Sequence, residues 1–89
     1  MAEVIDLALH QATLRVIDEL LERRGLGYFL ERRSRFPFAL NEKRVAHAME
    51  LASRQLGSVP CAEAVASSER MMRRRLIALV AEAMIRVGY

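Results

Sequence analysis

Apolar positions recur along this chain at helical spacing, in three blocks separated by glycine and proline. In the first block Ile5, Leu9, Ala12, Val16 and Leu20 follow one another at steps of four, three, four and four, which aligns them on one side of a helix. A second stripe, Leu7, Leu14, Ile17 and Leu21, is rotated from the first by more than a quarter turn. The block predicts a helix over 2–24, stopped by Gly25, with Arg23 and Arg24 favourably placed in its last turn. A helix on the outside of a monomer needs one stripe, so two predict contact on both sides, and the spare side suits another subunit.

The second block is narrower. Val45, Met49, Ala52 and Leu56, with Ala48 beside them, predict a one-sided helix over 41–56. Asn41 is its N-cap, Leu40 and Val45 form a hydrophobic staple, and Gly57 and Pro60 end it. The third block fills 60–87, and from Leu76 to Val87 its only polar side chains are Glu82 and Arg86, both on one edge. Almost the whole circumference there needs cover, which makes this helix the central element of the expected fold. Run unbroken, it would measure ~42 Å at 1.5 Å per residue, longer than any surface of its own chain, so a break is expected at Ser67 and Ser68, where a serine caps a new start ahead of Glu69. Between the first two helices, Gly25, Gly27 and Pro37 interrupt the pattern. Residues 28–35 have room for one or two helical turns, and Pro37 holds Phe36-Pro37-Phe38 extended.

Composition sharpens this picture. Counting glycine, 49 of the 89 residues are apolar, above the roughly 45–50% of ordinary soluble domains. Thirteen Ala, 12 Leu and 5 Met are strong helix formers, against 11 Val and Ile, so little is left from which to build sheet. A chain this short buries only roughly 60–65% of its extended surface on folding. The expected fold is therefore all-α, a small three- to four-helix bundle in one domain over 1–89, its neighbouring helices antiparallel and its core completed by homodimerisation.

Charge and chemistry then narrow the functional classes. The net charge is +3, carried by 13 Arg and the single Lys43, an excess of guanidinium that also fits a GC-rich genome. A lone cysteine, Cys61, excludes an internal disulfide and fits a reducing cytoplasm. Glu3 and Asp6 interrupt the first apolar stretch, so no secretory signal is expected, and no run approaches the ~18 uncharged apolar residues of a bilayer span. His10 and His47 lie on different helices with no His or Cys three or four residues away, which leaves no local metal-ligand spacing. Phosphate-binding glycine loops, nucleophile elbows and spaced acid pairs do not occur. No catalytic, cofactor or metal residue is expected.

What remains is surface. Tyr28, Phe29, Phe36 and Phe38 lie within eleven residues and are interleaved with Arg32, Arg33 and Arg35. Aromatic and Arg side chains together dominate protein-interface hot spots, while the plain alternative is an apolar plug at the end of the bundle. Arg70, Arg73, Arg74 and Arg75 surround the third helix instead of facing one groove, which argues against DNA reading and against a membrane-surface helix. Glu69 and Arg73, one turn apart, are set to pair, for ~0.3–0.5 kcal/mol if exposed and on the order of 3–5 kcal/mol on breakage if a partner covers them. The leading expectation is a non-catalytic regulatory or inhibitory protein, cytoplasmic and homodimeric, that binds another protein through Tyr28, Phe29, Arg32, Arg33, Arg35, Phe36, Phe38, Met72, Leu76, Ile77, Leu79, Val80 and Met84. The alternative is a DNA- or RNA-binding module using Arg32, Arg33, Arg35, Lys43, Arg44, Arg70, Arg74 and Arg75, whose aromatic neighbours offer stacking surfaces.

Overall fold

A computed structural model describes residues 3–32 and 39–88 of the chain. Three helices account for most of it: α1, Leu7–Arg24; α2, Glu42–Arg54; and α3, Ala62–Arg86. A single 3₁₀ turn, Leu26–Phe29, follows α1, and no strand occurs among the described residues beyond one isolated antiparallel bridge between Leu30 and Leu40. The all-α expectation holds.

The first helix begins five residues later than its apolar pattern predicts. Asp6 stays extended and its carboxylate accepts from the backbone N–H of Leu9 at 3.1 Å, satisfying a donor that the first turn leaves open. Upstream, residues 3–6 form a non-helical arm. At the far end Gly25 takes φ +79° and ψ 170°, a conformation open essentially to glycine alone, and returns its N–H to Leu21. The second helix has the predicted cap, Asn41 accepting from the N–H of Arg44 at 3.2 Å.

The central helix is α1, not α3. Leu9 and Ala12 are buried in the shared core, Val16 and Leu20 line one groove together with Leu51 and Gln55, and Leu21 shares another groove with Leu79 and Ala83 of α3. Both stripes of α1 are thus largely used inside one chain. Contacts climb in step along α1 and α3, from His10 with Ser68 to Asp18 with Arg75, so these two helices run parallel. Helix α2 runs antiparallel to α3, since Glu42 meets Arg73 and Met49 and Ser53 line a groove with Val65 and Glu69. The core where they meet comprises Leu9, Ala12, Val16, Ile17, Phe29, Val45, Ala48, Met49, Ala52, Ala64, Met72 and Leu76.

No break occurs at Ser67 and Ser68, and α3 is one helix of 25 residues. The reason is lateral support. Ser68 is fully buried and shares a 2.6 Å hydrogen bond with His10 Nδ1 of α1, and Ser67 is buried in the same stretch. The arm adds to this cover: Arg70 of α3 donates to Glu3 at 2.6 Å. Parallel α1 with its arm thus supplies the long packing surface that the sequence does not reveal.

Candidate interaction surface

The chain hides one side of α3 and leaves the other bare. Met72, Leu76 and Val80 point into the core, and Leu79, Ala83 and Met84 are half-buried at its edges. On the opposite side Ile77, Ala78, Ala81 and Ile85 are exposed; Ile77 retains 57% of its surface and Ile85 76%. At 100° per residue these four fall within about a third of a turn, together with Arg74 one turn and Arg70 two turns earlier. The outer face of α3 is covered in its first half, where Ala64 and Ser67 are buried, and is open to solvent from Arg74 onward.

Charges along this helix are mostly held by the chain itself. Arg70 Nε and Nη2 donate to Glu3 Oε1 at 3.1 and 2.6 Å, and this guanidinium, helped by the nearby Ser67 hydroxyl, holds the Glu3 carboxyl below the usual carboxylate range. Ser67 Oγ nevertheless forms no hydrogen bond of normal geometry, and it is the one buried side-chain oxygen among the described residues left without one. Arg75 donates to Asp18 at 3.0 Å and Arg86 to Glu82 at 2.8 Å. Arg73 forms the predicted pair with Glu69, 2.9 Å, and adds a fork to both oxygens of Glu42, which lowers the Glu42 carboxyl pKa and raises that of the guanidinium. Arg74 is exposed and donates to no described side chain, and its charge adds a lesser pull on the Glu3 carboxyl.

The aromatic-Arg segment is only partly within the described residues. Arg33, Arg35, Phe36 and Phe38 lie outside them. Phe29 is fully buried in the core, with Tyr28 edge-on at 5.2 Å between ring centroids. The Arg44 guanidinium lies over the Tyr28 ring, 4.4 Å from its centroid, and donates to its hydroxyl at 3.2 Å. Arg32 and Lys43 are exposed.

Several expected contact residues are therefore corrected. Phe29, Met72, Leu76 and Val80 are spent on the chain's own core and are not on offer to a partner, because α1 and the 3₁₀ turn reach that side of α3. Leu79 and Met84 keep part of their surface and Ile77 most of it. Ile85, with Ala78 and Ala81, was missed; the signal is that Ile85 stands two turns from Ile77 on the side of α3 away from Leu76. Of the eight cationic candidates, Arg44, Arg70 and Arg75 already have partners in the chain, while Arg32, Lys43 and Arg74 sit on three different elements.

The described residues contain no group of three His, Cys, Asp or Glu able to hold a metal ion, and no described helix is long and apolar enough to cross a membrane. Comparison with protein-family models, curated proteins and solved structures finds no match for this chain.

Proposed function

We propose that this chain is a small regulatory or inhibitory protein of the cytoplasm that works without catalysis, by protein–protein contact, and that it does so as a homodimer. The observation that carries this reading is the pair Ile77 and Ile85, largely exposed on either side of exposed Ala81 on a helix whose other face is the core. Burying such a side chain completely is worth about 1.5–3 kcal/mol, so a stripe of this kind is a standing gain for any partner that fits it. Use as a nucleic-acid module is disfavoured, because Arg44, Arg70 and Arg75 would first have to leave Tyr28, Glu3 and Asp18.

Affinity capture with the tagged protein, with and without nuclease, tests the class of partner. Protein should be retained equally after nuclease and be lost with Ile77→Asp. Retention of nucleic acid that survives Ile77→Asp and falls steeply with salt would overturn the reading.

A further inference from the structure

We infer that the bare face of α3 is covered by the same helix of a second copy, running antiparallel across a two-fold axis at Ala81; this rests on the protein-binding reading above and specifies its first occupant. Ile77, Ala81 and Ile85 are spaced four and four, so the stripe reads the same in both directions. An interface between identical copies must be self-complementary about its axis, and this stripe meets that condition. An axis through Ala81 sets Ile77 against Ile85 of the second copy and Ile85 against its Ile77, each ~6 Å from the axis. The small side chains of Ala81 and Ala78 at the centre let the two backbones approach closely.

Charge supports the same register. Arg74 lies seven residues before Ala81, so antiparallel pairing brings it to the position seven residues after, at the end of the second copy's α3, where helix carbonyls carry partial negative charge. It is also the arginine of this stripe that donates to no described side chain. A parallel pairing would instead set Arg74 beside Arg74. Area points the same way. Ile77 and Ile85 keep 57% and 76% of their surface, apolar area that the second copy would remove from water.

Charge exchange tests both the occupant and the direction. The unmodified protein should sediment at twice the chain mass. Ile77→Lys alone and Ile85→Glu alone should each weaken self-association by roughly 30-fold or more, since each buries unpaired charge. The double variant Ile77→Lys/Ile85→Glu should regain most of the loss, because only antiparallel pairing sets each introduced lysine against an introduced glutamate. Circular dichroism confirms that all three variants stay helical. As a second measurement, Ala81→Cys in a Cys61→Ser chain should form a disulfide-linked dimer with oxidised glutathione, whereas Glu82→Cys should not, a disulfide requiring Cα atoms within about 7 Å. A double variant as dissociated as the single ones would overturn the antiparallel register. An unmodified chain with single-chain mass at every concentration would overturn self-pairing and with it the homodimeric half of the proposed function, while the protein-binding half would survive that result if Ile77→Asp still lost a captured protein. If Ile77→Asp and Ile85→Asp changed neither mass nor capture, both would fall.

Discussion

Arg73 ties two helices together, donating to Glu69 one turn before it in α3 and to Glu42, 31 residues away in the first turn of α2. Its side chain is 32% exposed and that of Glu42 is 68% exposed, so water screens much of the attraction. Arg73→Ala should therefore lower unfolding stability by about 1 kcal/mol, measured in urea, and not by the several kcal/mol of a buried charge. The Glu42 carboxyl pKa is depressed by this guanidinium, so its contribution is complete above the ordinary carboxylate pKa and is lost as pH falls through the depressed one. Stability of Glu42→Gln and of the unmodified protein should accordingly differ near neutrality and converge in acid. Ser67 has the opposite sign. Its hydroxyl is buried without a hydrogen bond of normal geometry, and its pull on the Glu3 carboxyl acts on a group that is 44% exposed and screened, so Ser67→Ala chiefly removes a desolvation cost and improves helix propensity, and it should raise stability by about 1 kcal/mol. No gain in the urea midpoint would mean that Glu3 satisfies that hydroxyl after all.

At the scale of elements, the ends of the helices separate what local sequence can tell from what it cannot. Both signals bounding α1 are local: Asp6 caps it and Gly25 stops it, although the apolar run masked the first of them. Gly25→Ala should cost roughly 1–3 kcal/mol in thermal or urea unfolding, because a side chain is strained at that φ and ψ. The cap of α2 was legible for the same reason, since Asn41 needs nothing beyond its own next three residues. Continuity of α3 was not. Ser67 and Ser68 favour a restart by themselves, and only the arrival of His10 and the arm, nearly sixty residues away in sequence, makes the unbroken helix the better solution. The candidate surface was half legible in the same sense. An apolar surplus on α3 can be read from Leu76 to Val87, but which side stays bare depends on α1 lying parallel to it, so Met72 and Leu76 look like contact residues in sequence and are core in the fold.

For the whole molecule the governing quantity is surface. A radius of gyration of 13.7 Å exceeds the roughly 12 Å of a compact domain of this length. The third helix has 25 residues against 18 in α1, and its exposed apolar outer face continues to Ile85. On the proposed pairing a second copy would supply the missing cover, and folding and association would then be linked: the unfolding midpoint should rise with protein concentration, by up to ~1.4 kcal/mol of apparent stability per tenfold. Sedimentation equilibrium of the unmodified protein over a wide concentration range separates the paired from the lone chain. A species of twice the chain mass that gives way to the single chain only on dilution is expected, and a single-chain mass at every concentration would contradict the pairing.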